Sequence, residues 1–147
     1  MANVEAIEGL DDIQKVLAGL AKRMNTLEPY MREAINVVQN VTEESFENES
    51  SPDGTTWTPL KNPQNRKMLY DTGKMQESLY TQVFANSATI GFNAKSNEYP
   101  YPAVHQFGTT DGKVPARPFL PIRADGELMD HVVKEIMEVF EEITSLN

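Results

Sequence analysis

The chain has 147 residues, 39% of them hydrophobic, which is the length and composition of one folded domain rather than of a disordered protein. Its net charge of −9 and its pI near 4.7 argue against a nucleic-acid binder, since such proteins present a dense basic surface. The absence of cysteine excludes disulfides and thiolate metal sites, and no apolar run approaches the roughly 20 residues of a membrane span.

The charge is unevenly distributed along the chain. Residues 1–50 hold 10 acidic and 4 basic residues, residues 51–123 hold 5 and 8, and residues 124–147 hold 7 and 1. Acidic residues in such numbers usually lie on the solvated faces of helices. A second interpretation is that the acidic end of one copy meets the basic middle of another, which would steer self-association.

Two helices are predicted in the first third of the chain. Over residues 10–27, apolar residues recur at alternating spacings of three and four, which is typical of an amphipathic helix. A second helix is expected to begin at Glu28, because Pro29 fits the first turn, and to end near Glu47. The apolar face of this second helix comprises Met31, Ala34, Ile35, Val38 and Val41.

A long loop is predicted to follow, at residues 50–67. Its first turn is expected at Pro52–Gly54, because proline presets φ and glycine accepts a positive φ. Trp57 and Leu60 are expected to hold this loop against the core.

A short helix and a β-hairpin are predicted next. Asp71 or Thr72 is expected to cap the helix, which ends near Ser78. Residues 79–84 and 88–92 have the composition of two strands joined by a short turn, and so predict a hairpin.

The stretch Tyr99–Phe119, YPYPAVHQFGTTDGKVPARPF, has an unusual composition, with four prolines and two glycines. Because proline cannot donate to a ladder and fixes φ, we predict an extended loop of fixed shape here. Another short strand is expected at Phe119–Ile122. A final helix is expected at residues 127–146, where apolar residues again recur at spacings of three and four.

These elements predict an α+β fold, in which a small antiparallel sheet with a central β-hairpin packs against N- and C-terminal helices. We expect a single domain over residues 1–147. Its helices would occupy residues 10–47, its loop and sheet region residues 48–123, and its C-terminal helix residues 127–146.

Two features of the sequence are compatible with catalysis. The triplet Asp71-Thr72-Gly73 matches that of aspartic proteases, although one copy per chain would require a homodimer, and the helical spacing that follows favours a helix cap. His105 is the best candidate for a general base, but no nucleophile and acid accompany it in a known pattern. His131, the other histidine, is not at metal-ligand spacing from it. We therefore predict no catalytic residue, no metal site and no cofactor.

The proline-rich stretch is a better candidate for a protein–protein interface, because aromatic residues and arginine dominate the energetics of such interfaces. The interface candidates are Trp57, His105, Gln106, Phe107 and Arg117. Arg117 has two interpretations, a contact between subunits or a staple within its own loop, because a guanidinium satisfies several acceptors at once. Phe119 is expected to anchor the loop in the core.

Four blocks of the sequence, taken in order, resemble the phage virion morphogenesis family, the Mu-like G-protein and tail-completion group. They are FENESSPDGTTWTPL at 46–60, LYDTGKMQESL at 69–79, YPAVHQFGTT at 101–110 and VPARPFLPI at 114–122. The chain departs from the family pattern at Met75, where leucine is usual, at Pro102 and at Pro121, where glycine is common. None of these departures removes a chemical group.

The resemblance implies a non-enzymatic structural protein of a tailed phage or prophage. Such a protein acts in tail completion or head–tail joining, as a ring of identical subunits, with other tail or head–tail connector proteins as partners. It would be a virion component that is assembled in the bacterial host cytoplasm, with no membrane and no sequence-specific nucleic acid among its partners. The acidic N-terminus fits this, because it lacks the basic and apolar regions of a signal peptide.

Two alternatives from other functional classes remain open at this point. One is a homodimeric aspartic-type hydrolase that uses Asp71 from each copy. The other is an acidic binding module that blocks a DNA-binding partner, which would be a monomer with its acids on one face.

Overall fold

A computed structural model describes residues 2–3, 15, 18, 27–61, 68–69, 73–94 and 101–146. The elements in chain order are β1 (Ala2–Asn3), α1 (Glu28–Asn48), α2 (Lys74–Glu77), β2 (Leu79–Val83), β3 (Ala88–Phe92), α3 (Tyr101–Phe107) and α4 (Asp130–Leu146). The fold is α+β, as predicted. The helix predicted at residues 10–27 lies outside the described residues, apart from Lys15 and Ala18, which are helical, and Leu27, which is not.

The chain divides into two compact units. The first unit comprises Met1–Gln39, Thr81–Ile90 and Ile122–Asn147, and the second comprises Asn40–Tyr80 and Gly91–Pro121. That residues 1–147 act as a single domain stays a prediction.

The sheet contains the predicted hairpin. The strand order is β1-β3-β2, and β1 is antiparallel to β3, with Ala2 opposite Ile90. The hairpin turn is closed by a hydrogen bond of 2.8 Å from the Phe84 N–H to the Ser87 carbonyl. β1 was not predicted, because two residues are too few to show an alternating pattern.

The helices of the first unit pack on this hairpin, which confirms the predicted arrangement. The N–H of Leu27, just before α1, donates to the Ala85 carbonyl at 3.2 Å and so ties the start of α1 to the hairpin turn. Tyr30 of α1 and Phe140 of α4 meet edge to face, with ring centroids 5.5 Å apart. Both are almost fully buried, as are most of the apolar positions predicted for these two helices. Burial of these faces is the main stabilising term of the unit.

The beginning of α4 differs from the prediction. The helix begins at Asp130 rather than at residue 127, and Leu128 instead forms a single antiparallel bridge with Ile122. A turn joins these two residues, in which the Arg123 N–H donates to the Glu127 carbonyl at 2.7 Å. The strand predicted at Phe119–Ile122 is therefore wrong, since only Ile122 pairs in this way.

The predicted extended loop at Tyr99–Phe119 is also wrong in part, because Tyr101–Phe107 forms the helix α3. Pro102 lies in the first helical turn, where the missing N–H has no intrahelical partner to lose. Gly108 ends the helix with φ +72, and its N–H donates to the Val104 carbonyl at 2.7 Å. The segment that follows, up to Phe119, is the irregular loop that the prolines predicted.

The cap of the short helix α2 differs from the prediction as well. The helix begins at Lys74, and the capping position is held by Gly73 with φ 78 and without a side-chain cap. Asp71 and Thr72, the predicted caps, are themselves outside the described residues.

Candidate protein–protein interface

The segment Arg117–Leu120 lies at the centre of the second unit. The ring of Phe119 is 1% exposed and lies 5.0 Å, between centroids, from the rings of both Phe46 and Phe92. Phe46 in turn meets Trp57 edge to face at 6.0 Å. Phe119 is thus the core anchor that the sequence predicted.

Gln106 binds one side of this segment through its carboxamide. Its Oε1 accepts hydrogen bonds from the N–H groups of Phe119, at 3.0 Å, and Leu120, at 2.9 Å. Its Nε2 donates to the Leu120 carbonyl at 3.1 Å, and the side chain is buried. A side-chain amide therefore replaces the partner strand that these backbone groups would otherwise need, which explains why no strand forms here.

Trp57 and Arg117 fix the other side of the segment. The Trp57 indole N–H donates to the Pro118 carbonyl at 2.7 Å. The guanidinium of Arg117 donates from Nε to the Thr58 carbonyl at 2.9 Å and from Nη2 to the Pro59 carbonyl at 3.3 Å. Of the two interpretations of Arg117, the structure thus shows the staple within the chain. Its contact with another subunit stays a prediction.

His105 joins α3 to the same segment through its main chain, because its carbonyl accepts the Arg117 N–H at 2.7 Å. Its imidazole Nδ1 is buried and has no hydrogen-bond partner among the described residues. No orienting acid is therefore bound to this nitrogen, as a general base would require. Burial, and then the positive charge of Arg117, lower the pKa of His105 below its ordinary value.

This lowered pKa predicts a loss of stability in mild acid. Between the folded and the unfolded pKa of His105, the unfolded chain binds more protons, so stability falls as the pH falls below the ordinary histidine value of about 6.5. We expect His105→Gln to lose less stability than the wild type between about pH 7.5 and about pH 5.5. Urea unfolding of both proteins at the two pH values measures the difference.

His131 provides the matched control for this experiment, because it is exposed on α4. His131→Gln makes the same substitution at an exposed position and is expected to change stability by less than about 0.5 kcal/mol. If His105→Gln keeps the full pH dependence of the wild type, the imidazole of His105 does not contribute to acid sensitivity.

The loop after α3 has a fixed shape. A Cβ on Gly108 would lie 2.8 Å from the Ala116 backbone nitrogen, so only glycine permits the close approach of the two loop ends. Thr109 Oγ1 donates to Asp111 Oδ1 at 2.7 Å and accepts the Val114 N–H at 3.0 Å. Hydrogen bonds from the Lys113 N–H and from Thr109 lower the pKa of Asp111, which keeps this carboxylate charged.

The five interface candidates differ in exposure. The side chains of Trp57, Gln106 and Arg117 are buried and bind backbone groups elsewhere in the chain, and His105 is half-buried. Phe107 is 57% exposed. Four of the candidates are thus at least partly buried within their own chain, whereas the side chain of Phe107 is open to solvent. Contact of any of the five with a partner stays a prediction.

One exposed aromatic residue was missed by the sequence analysis. Phe84, at the hairpin turn, is 50% exposed. It follows directly after β2, and an aromatic residue at the end of a strand gives no sign of whether it faces the core or the solvent.

The described residues contain no group of three or more histidine, aspartate or glutamate side chains placed to hold a metal ion. None of the described helices is long and apolar enough to cross a membrane. Asp71, the carboxylate that the hydrolase alternative requires, is not among them.

Comparison with known proteins identifies the family of this chain. The model of the phage virion morphogenesis family matches residues 9–143, which is most of the chain. The chain belongs to the phage virion morphogenesis family, as its four sequence blocks predicted. Searches of curated proteins and of solved structures found no significant match. Family membership points to a structural role in the virion, with other virion proteins as partners.

Proposed function

We propose that this chain is a non-enzymatic structural protein of a tailed phage or prophage that acts in tail completion or head–tail joining. It works as a ring of identical subunits and binds other tail or head–tail connector proteins. It assembles in the cytoplasm of the bacterial host. The observation that carries the proposal is the hydrogen-bonded surface of the second unit around the loop after α3. Phe107 projects from this surface and is 57% exposed.

The polar groups of this surface support a role in shape rather than in chemistry. The carboxamide of Gln106 accepts hydrogen bonds from the N–H groups of Phe119 and Leu120 and donates one to the Leu120 carbonyl. Arg117 donates to two backbone carbonyls. A group that is engaged in this way positions a segment, whereas a catalytic group must be free to bind a reacting atom.

Fewer basic residues are available to steer assembly than the sequence suggested. Of the basic residues in the middle of the chain, Arg117 is buried, and Arg123 forms ion pairs with Asp125, Glu127 and Asp130 of its own chain. These two arginines therefore have local partners, so steering between copies falls to the remaining lysines and arginines.

Deletion of the gene from the phage or prophage that encodes it tests the proposal. We expect heads and tails that accumulate separately in electron micrographs, and a loss of infectious particles that the wild-type gene restores. Asp71→Asn is expected to restore them equally well, since it removes only the carboxylate that the hydrolase alternative needs. Normal yields of joined particles after deletion would contradict the proposed role, and failure of Asp71→Asn alone would favour the hydrolase.

A further inference from the structure

Two large apolar side chains are exposed in the part of the chain that the structure describes, namely Phe84 and Phe107. Phe84 lies at the hairpin turn of the first unit, and Phe107 lies at the end of α3 in the second unit. A single exposed aromatic residue is common on a protein surface. Two such residues beside hydrogen-bonded turns are candidates for an interface, because aromatic residues are enriched at interfaces.

The first of these aromatic residues is part of a small uncharged surface at the hairpin turn. This turn patch consists of Phe84, Ala85 and Asn86, which are all exposed. Its backbone is held by the hydrogen bond from Phe84 to Ser87 and by the one from Leu27 to Ala85. The aromatic ring is therefore presented from a fixed turn, which lowers the entropy lost on binding.

The second aromatic residue is part of a similar surface on α3. This α3 patch consists of Ala103 and Phe107, which are four residues apart on one helix face and are both exposed. The opposite face, with Pro102 and Gln106, is buried, so the helix cannot turn Phe107 inward. No residue of α3 is an acid, a lysine or an arginine.

We propose that the turn patch of one copy docks on the α3 patch of a second copy, in a head-to-tail contact. This inference rests on the proposed function, because it specifies the contact by which subunits join. A ring requires such a contact between two different surfaces of identical chains. The two patches are different, each contains an exposed phenylalanine ring, and both are free of charge, as the centre of an interface should be.

The charge distribution favours a second copy in this orientation. The first unit, which carries the turn patch, has 13 acidic and 6 basic residues. Residues 91–121, which carry the α3 patch, have two acidic and three basic residues, and because Arg117 is buried the remaining charges balance. Head-to-tail docking therefore brings an acidic unit against a segment without net surface charge, whereas contact between two turn patches would bring two acidic units together.

Two single variants and their mixture test the contact. Phe84→Ser removes the turn patch and keeps the α3 patch, and Phe107→Ser does the reverse. Because both side chains are exposed, both variants are expected to melt like the wild type at concentrations where the wild type is monomeric. We expect the wild type to form large oligomers in analytical ultracentrifugation, each variant alone to remain monomeric, and an equimolar mixture of the two to form dimers.

Several outcomes would overturn the contact while leaving the deletion phenotype, and thus the proposed function, intact. These are a wild type that stays monomeric at every concentration, a single variant that still assembles, and a mixture that gives no dimer. Deletion of the gene without a joining defect would instead overturn the proposed function.

Cross-linking gives a second test, because the chain has no cysteine of its own. A chain with both Ala85→Cys and Ala103→Cys is expected to form a ladder of disulfide-linked oligomers on oxidation. The matched control combines Ala103→Cys with Glu138→Cys, on the exposed face of α4, and is expected to form none. Equal ladders from both chains, or none from the first, would contradict the docking.

Discussion

Phe119→Ala is expected to destabilise the protein by about 3–5 kcal/mol, which is the usual cost of removing a buried phenylalanine ring. The ring is 1% exposed, and it contacts two other phenylalanine rings at 5.0 Å, so its loss leaves a cavity that these neighbours cannot easily fill. Small domains are stable by about 5–15 kcal/mol, so this one change removes a large fraction of the total. Urea unfolding gives the free energy directly.

Two further variants keep the test informative if Phe119→Ala does not fold. Phe119→Leu retains most of the apolar side chain and is expected to lose much less stability. Phe84→Ala makes the same substitution at an exposed phenylalanine and is expected to cost less than about 1 kcal/mol at concentrations where the chain is monomeric. If Phe119→Ala unfolds at the same urea concentration as Phe84→Ala, Phe119 is not a core anchor.

Gln106→Met is expected to have the second-largest effect, at about 3 kcal/mol, because it leaves three buried backbone groups without their partner. These groups are the N–H of Phe119 and both the N–H and the carbonyl of Leu120. Methionine has a similar volume and fills the same space, so the loss measures the hydrogen bonds rather than a cavity. Thermal melting and urea unfolding both report it.

Gln82→Met is the matched control, since Gln82 lies exposed on β2. It is expected to change stability by less than about 0.5 kcal/mol. Gln106→Glu distinguishes the hydrogen bonds that the amide accepts from the one that it donates. A carboxylate still accepts the two N–H groups but cannot donate to the Leu120 carbonyl. A Gln106→Met protein as stable as Gln82→Met would show that the segment is held without the amide.

These two predictions concern residues that support the proposed interface, and they differ in kind from the assembly variants. Phe119 and Gln106 hold the loop that follows α3, so their loss is expected to lower both stability and the proposed assembly. Phe84 and Phe107 are exposed, so their loss is expected to affect assembly alone. Comparing melting with oligomer size thus separates residues that build the surface from residues that bind.

The sequence by itself determined the elements whose signals are local. The apolar spacing of α1 and the fit of Pro29 to a first turn placed the helix Glu28–Asn48 to within one or two residues. Strand composition on both sides of a short turn placed the hairpin equally well. The order and spacing of four short blocks determined the family, because those blocks together are specific even though each alone is weak. These signals need no knowledge of what lies across the fold.

Only the tertiary structure decided the roles of Trp57, Gln106 and Arg117. Each binds the backbone of a residue 13 to 61 positions away in the chain, and a sequence pattern carries no record of such distant pairing. For the same reason the strand predicted at Phe119–Ile122 is absent: its N–H groups were satisfied by a side chain rather than by a neighbouring strand. The exposure of Phe84 and Phe107 also depends on the tertiary structure, because an aromatic residue is buried or exposed according to what packs over it.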